Sequence, residues 1–380
     1  MIRAITLVGA LALVPAAEAA VPAVQAHRGG PVLAGVPTFP EETLPAFRYA
    51  ARELGVVLEL DAKLTSDGVP VVIHDATLDR TTNCDGQVAE RTLEELEPCM
   101  ADVLGAPGNG LETAPAPRPV PIATLAEVLA FATTEGIGIN LEIKNYPTDP
   151  DWDPTPAFAN RIMDVVVESG IPAKQVIMQS FLPDNLLVAE SRLPDAEFAL
   201  LALAGFEDAA LGAAAARGWD WVSPSWPVDA DYVGQAHESG LRVVPYTLNR
   251  KRDVADAAAA GVDALITDDP LMALQTLDPD PPAVELKPLS KKLAKVRRKR
   301  KLRVRLTSDE PATVTLTARR GGKRLGRLEL VFEEPGTRKV SVPVRRGPLT
   351  GRDSAKVKLA ARASDRAQNR TTARATARLR

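Results

Sequence analysis

The amino-acid sequence predicts an α/β fold, a closed (β/α)8 barrel, followed by a small all-β sandwich of immunoglobulin-like pattern. Three observations carry this. Short apolar runs alternate with amphipathic helical runs over roughly 250 residues, the span of a closed barrel. Beyond residue 290 the periodicity changes to strict alternation, the mark of antiparallel strands with one buried face. Charge divides near the same place: Leu286 to Arg380 holds 29 of the 46 Lys and Arg but 7 of the 49 Asp and Glu. That stretch is therefore +22 and the remainder −25, although the whole chain is only −3. Such asymmetry marks separate units.

The elements follow in order. Residues 1–20, MIRAITLVGALALVPAAEAA, have a basic start at Arg3, an apolar run from Ile5 to Val14 and a small-x-small site at Ala17-Glu18-Ala19. That pattern predicts a secretory signal and hence a secreted or envelope-associated protein. The run is too short to span a bilayer. Barrel strands are expected at 23–28, 56–62, 139–143, 176–181, 197–203, 220–224, 242–248 and 263–267. No Gly-rich dinucleotide fingerprint follows any of them, which argues against an open doubly wound sheet. The expected barrel domain spans 21–276 and a Pro-rich linker 277–290. In the sandwich, 291–380, stretches such as ATVTLTA and AKVKLAARA bury one face and present Arg and Lys on the other.

Cys84 and Cys99 are the only cysteines. In an oxidising compartment they are expected to pair, closing a short loop worth about 3 kcal/mol. With no histidine nearby they make a poor zinc site.

Chemistry concentrates in VVLELDAKLTSDGVPVVIHDATLDRTTN, residues 56–83. Strand alternation puts Glu59, Asp61 and Lys63 on one face. Asp67-Gly68 is a hairpin turn signal, and a two-residue turn sets His74 opposite Asp61; a longer loop shifts the register by one. His27-Arg28-Gly29-Gly30 ends the first strand, at the barrel edge where active sites form. Glu142 and Lys144 share a face near the end of another strand. Glu59, Asp61 and Glu142 would repel one another unless a cation lay among them, and an all-oxygen set favours Ca²⁺ or Mg²⁺ over zinc. Arg28 and Lys144 suit a phosphate, and His27 and His74 suit proton transfer near neutral pH. Together they predict metal-assisted phosphodiester cleavage. His237 is read as structural; Asp268 either supports the site from behind or caps the turn after the last barrel strand, with capping favoured.

The segments AHRGG, PEETLPAF, LELDAKLTSDGVPVVIHDATLDRTTN, LEIK, QSF, YTLN and GVDALITDDP run in the order found in the glycerophosphodiester phosphodiesterase family. The resemblance covers roughly residues 24–275, and the long third segment is its most specific part. It implies a TIM barrel that hydrolyses small-molecule glycerophosphodiesters with one divalent cation. By the same resemblance His27 and His74 are the catalytic pair, and Glu59, Asp61 and Glu142 the metal ligands. Arg28 and Lys144 bind phosphate, Glu41 lies near the site, and Phe181 and Tyr246 line the pocket mouth. Two positions depart from the family: Glu42 stands where Asn is common and Tyr246 where Trp is common. The first bears on the loop over the phosphate, the second on the alcohol pocket.

Two rivals remain at this level. One is a lipid-directed, phospholipase D-type enzyme on the same barrel. The other is an inactive barrel whose basic domain is the working part. That domain is expected to hold the protein on an anionic envelope polymer or membrane surface, or else to dock on its own acidic barrel. KKLAKVRRKRKLRVR imitates a nucleic-acid signal, but after a secretory leader it predicts no specific nucleic-acid partner.

Overall fold

The computed structural model describes residues 21–102, 118–345, 349–350 and 353–380. The expected secretory segment, residues 1–20, lies outside the described residues.

Eight parallel strands form the first domain: β1 (Ala23–Ala26), β2 (Val57–Leu64), β3 (Ile139–Ile143), β4 (Val176–Ser180), β5 (Glu197–Ala202), β6 (Trp221–Pro224), β7 (Arg242–Val243) and β8 (Ala264–Thr267). Their order is β7-β6-β5-β4-β3-β2-β1-β8. Main-chain bonds from Asp263 to Val243 and from Ile266 to Pro245, both 3.0 Å, close the ring between β8 and β7. Helices follow the strands: α1 (Leu44–Tyr49), α2 (Leu125–Glu135), α3 (Ala157–Ser169), α4 (Pro183–Arg192), α5 (Glu207–Arg217), α6 (Ala230–Glu238), α7 (Lys251–Ala260) and α8 (Pro270–Leu277). The domain is a nearly closed TIM barrel.

Strand alternation explains both faces. On β2, Leu58, Leu60 and Ala62 are fully buried in the cluster that packs strands against helices. The intervening Glu59, Asp61 and Lys63 belong to the inward face and are also buried. Parallel strands covered on both sides must satisfy their inward polar groups inside the barrel. Lys63 does so on Asp149 and Asp151, at 2.6 and 2.9 Å. Ile177, Ala199, Trp221, Val244, Ala264 and Ile266 form a separate apolar cluster contributed by the other strands.

The hairpin register differs by one from the two-residue-turn expectation. Ala62 lies opposite Val72, and the Ile73 N–H donates to the Asp61 carbonyl at 3.1 Å. The loop runs from Thr65 to Val69, which are bonded to each other at 3.1 Å. Thr65 Oγ1 holds Asp67 inside it at 2.6 Å, so the turn is longer than Asp67-Gly68 alone. His74 therefore follows the residue facing Asp61. Strand β1 also stops at Ala26 rather than residue 28, because Arg28 takes a left-handed conformation.

After the hairpin an insertion carries its own small core of Val71, Ile73, Leu78, Val88, Leu96 and Cys99. Cys84 and Cys99 are disulfide-bonded with their Cα atoms 5.5 Å apart.

The second domain is wholly antiparallel: β9 (Val284–Pro288), β10 (Lys301–Ser308), β11 (Ala312–Arg320), β12 (Lys323–Phe332), β13 (Gly336–Pro343), β14 (Ala355–Ser364) and β15 (Arg370–Leu379). Its sheets are β9-β10-β13 and β12-β11-β14-β15. Strand β9 lies inside the stretch 277–290 expected as a linker, which is thereby corrected. Leu286 reaches the sandwich core and the strand pairs with β10; its one proline, Pro288, is the last residue of an edge strand, where a missing N–H is tolerated.

The domains meet through a few specific contacts. Ala367, in the β14–β15 turn, is buried in the core of the barrel domain. Gln368 donates to the Tyr49 hydroxyl at 2.9 Å, and Asn369 to the carbonyls of Asp278 and Asp280 at 2.7 and 3.3 Å. Among the described residues no ion pair joins the two domains, and carboxylates stand on both sides of the seam.

Candidate active site

The site lies at the C-terminal ends of β1, β2, β3 and β8. After β1 the chain makes a tight turn through Arg28, Gly29 and Gly30, with φ of +53°, +84° and +70°. A Cβ on Gly30 would lie 2.7 Å from the Pro270 ring, and one on Gly29 2.9 Å from Ala46 Cβ. The glycine pair therefore answers both to backbone conformation and to space. The turn aims the Arg28 N–H at Glu59 Oε2, 2.8 Å away.

Glu59, Asp61 and Glu142 each bring a carboxylate oxygen within 4.8 Å of the others, and all three are buried. Neither Asp61 oxygen has a hydrogen-bond partner. Burial and the neighbouring Asp61 charge push Glu59 up to about 7. Burial, against the pull of Lys144, pushes Glu142 up to about 8. Two orphaned Asp61 oxygens, buried beside two further carboxylates, suit a hard divalent cation. Lys144 Nζ reaches Glu142 at 3.0 Å and Asp61 at 3.5 Å, and Arg28 Nε lies 3.7 Å from Asp61. Two cations thus border the cluster where an anionic substrate would arrive.

Each histidine has a carboxylate on Nδ1. His27 pairs with Asp268 at 2.5 Å, and Asn249 steadies Asp268 at 2.5 Å. The capping role expected of Asp268 belongs to Asp269, which accepts the Met272 N–H at 3.0 Å and the N–H groups of Ala34 and Gly35. His74 pairs with Asp75 at 2.6 Å, and Arg80 holds Asp75 at 2.6 Å. Burial disfavours a charged His27, yet Asp268 keeps its pKa above the ordinary value. Burial lowers His74 to about 4, with Arg28 and Lys144 assisting against the attraction of Asp61 and Asp75.

Glu41 accepts from Arg28 at 2.9 Å and from Arg80 at 2.7 and 3.0 Å, so it braces the two guanidinium groups. Glu42 is buried at φ +59° and accepts the Asp61 N–H at 3.0 Å. Burial and the Asp61 charge hold its carboxyl well above the usual range. A neutral acid here is closer to the amide common in the family than a carboxylate would be. Its contact is with the strand under the acid cluster.

Phe181 stacks edge-on against both Tyr146 and Tyr246, with centroids 5.5 and 6.1 Å away. A cavity of about 400 Å³ runs from His74, Glu142 and Lys144 to Tyr146, Phe181 and Leu203. An apolar groove of about 390 Å³ continues from the last three residues toward Leu182 and Phe206. His237 is remote in role: on the α6 surface it meets Asp263 at 2.9 Å. Asp75, Arg80 and Asn249 are the supporting groups that residue patterning did not pick out, while for Asp268 a supporting role is the less favoured of two sequence readings. The His74-Asp75 adjacency was the one visible hint.

A barrel with this acid cluster and two carboxylate-paired histidines at its mouth is an arrangement suited to hydrolysis of phosphodiesters. The sequence profile described as the glycerophosphoryl diester phosphodiesterase family matches residues 27–272, and the chain belongs to that family. It is a glycerophosphodiester phosphodiesterase, a phosphoric diester hydrolase. A glycerophosphodiester phosphodiesterase of Caldanaerobacter subterraneus is 31% identical over 250 residues, 64% of this chain and 93% of that protein. A Silicibacter pomeroyi crystal structure carrying the same family name superposes with a TM-score of 0.58 at 26% identity, covering 68% of this chain and 93% of its own. A similar fold, TM-score 0.55 at 24% identity over 68% of this chain and 98% of the other, occurs in an Oleispira antarctica phosphodiesterase crystallised with sn-glycerol-3-phosphate. The basic domain lies beyond the matched residues 27–272.

Proposed function

We propose that the protein is a secreted, divalent-metal-dependent enzyme that cleaves glycerophosphodiesters to glycerol phosphate and an alcohol, with His27 and His74 as the acid–base pair. The observation that carries this is the pair of histidines, each on its own carboxylate, beside the orphaned Asp61 oxygens and the cations Arg28 and Lys144. Glu59, Asp61 and Glu142 would hold Ca²⁺ or Mg²⁺. Such an ion supplies charge neutralisation and orientation at the phosphate.

The chain's own groups divide the work. Arg28 and Lys144 bind the phosphodiester oxygens. His74, kept neutral by burial with its cationic neighbours assisting, accepts the proton of the attacking hydroxyl, whether from water or from the glycerol itself. A new P–O bond forms and the P–O bond to the alcohol breaks; attack by water gives glycerol phosphate directly, whereas attack by the glycerol hydroxyl gives a cyclic phosphate that a water then opens to glycerol phosphate. His27, kept protonated by Asp268, gives its proton to the departing alkoxide. Replacing His27 or His74 by Ala is expected to lower kcat by about 10²–10⁴-fold with an unchanged circular-dichroism spectrum. Substantial residual turnover in either variant overturns the assignment. EDTA is expected to abolish hydrolysis of glycerophosphocholine, and Ca²⁺ or Mg²⁺ to restore it.

A second reading, a lipid-directed enzyme, is favoured by the apolar groove that opens from Tyr146, Phe181 and Leu203. Comparing kcat/KM for glycerophosphocholine and sphingomyelin separates the two.

The strand order β9-β10-β13 over β12-β11-β14-β15 supports an immunoglobulin-like reading of the second domain. Its Arg-rich cleft of about 710 Å³, with Arg300, Arg324, Arg327 and Arg345, supports a role in holding the enzyme on an anionic envelope polymer or membrane surface.

A further inference from the structure

We propose that the seam between barrel and sandwich is a calcium site, with Asp278, Glu310 and Asp365 as ligands, and that the ion locks one domain on the other. The three carboxylates come from separate places: Asp278 follows α8, Glu310 lies between β10 and β11, and Asp365 opens the β14–β15 turn. One oxygen from each lies within 4.8 Å of the other two. Ligands on opposite sides of a Ca²⁺ ion stand about 4.6–5.2 Å apart, twice the Ca–O distance, so such a trio fits around one ion.

A separate feature points to a ligand. Asp365 is only 9% exposed, and its Oδ2 is enclosed without any hydrogen-bond partner. Its other oxygen accepts the Asn369 N–H at 2.8 Å, while the Asn369 side chain grips the Asp278 and Asp280 carbonyls. The turn that carries the orphaned oxygen is thereby fastened to the barrel segment that carries Asp278. No described Lys or Arg forms an ion pair with any of the three. Asp309 and Asp280 stand next to the ligand-bearing segments and add more negative charge. A buried carboxylate without a partner is costly, and a cation or a shared proton must relieve it. An all-oxygen set of irregular loops suits the adaptable coordination of Ca²⁺ better than the strict octahedron of Mg²⁺ or the N/S preference of zinc. The site stands apart from the catalytic acids, at the end of α8 away from the barrel mouth.

The test uses the full chain carrying Glu59→Gln and Glu142→Gln, which removes the catalytic cluster from the count. Equilibrium dialysis at about 1 mM Ca²⁺, within the range of extracellular modules, is expected to find one ion per chain. Adding Glu310→Gln and Asp365→Asn is expected to reduce this to none. Ca²⁺ should also raise the melting temperature and slow proteolysis between residues 279 and 283 in the first protein and not in the second. Should Asp365→Asn fail to fold, Glu310→Gln alone, at a half-buried position, is expected to weaken Ca²⁺ uptake at least tenfold. No bound ion in the first protein, which leaves the acids to share a proton, or equal uptake in both, which places the ion elsewhere, overturns the proposal.

Discussion

His27 and His74 carry one side chain into opposite electrostatic settings. Asp268, the Glu59 carboxyl and Arg28 all face His27, and the acids prevail over burial and Arg28. At His74 burial and the two cations prevail. Groups pushed apart in this way divide acid from base. Asp268→Asn removes the chief support of the His27 imidazolium, so its pKa falls and the proton is lost at lower pH. The alkaline limb of the kcat/KM profile is therefore expected to move to lower pH, with kcat reduced by about 10²-fold at most. An alkaline limb that stays in place would assign it to another group. Residue patterning reached His27, His74, Glu59, Asp61 and Glu142 because each sits on a strand or at its end, where period and type are visible together. It favoured capping over site support for Asp268 because Asp268 and Asp269 share one local signal. One caps α8, the other meets a histidine 241 residues away, and nothing local separates the two roles.

At the scale of elements, strands were legible wherever both faces are buried, since an apolar run that short, bounded by turns, leaves no length for a buried helix. The exceptions have local causes. The hairpin loop recruits Thr65 and Val69, which shifts the register by one residue. Strand β9 is hidden among prolines, because an edge strand needs only half of its hydrogen-bonding groups. The disulfide belongs to this scale as well. It joins Cys84 to Cys99 across 15 positions and packs Cys99 into the insertion's own core. That core is small, so the crosslink supplies much of its stability. Replacing both cysteines by Ser is expected to cost about 3 kcal/mol in chemical denaturation. Reduction of the native protein should reproduce the loss, and identical denaturation midpoints with and without reductant would place the insertion's stability elsewhere. The segment leading into Cys84 carries Asp75 and Arg80, so the reduced enzyme is also expected to lose some activity through a looser His74.

Over the whole molecule, the charge division acquires a direction. The seam is made by an apolar contact, amide side chains and carboxylates, and the sandwich carries +22. Its Arg and Lys stay on the outward positions of alternating strands, where β10 and β14 show exposed residues between buried ones. Such a surface attracts polyanions over a Debye length, about 8 Å at physiological salt, and loses that attraction as salt rises. Arg324 and Arg345 are exposed on the rim of the basic cleft. The full-length protein is expected to sediment with vesicles rich in anionic lipid at low ionic strength and to be released by salt. The double variant Arg324→Glu/Arg345→Glu is expected to bind about 30-fold more weakly, at about 1 kcal/mol for each basic residue removed near the surface. Its turnover of soluble glycerophosphocholine should stay that of the native enzyme, because both residues belong to the sandwich and neither touches the barrel mouth. Vesicle binding that ignores both salt and the charge reversal would locate attachment in the apolar groove beside Phe206 rather than in the basic domain.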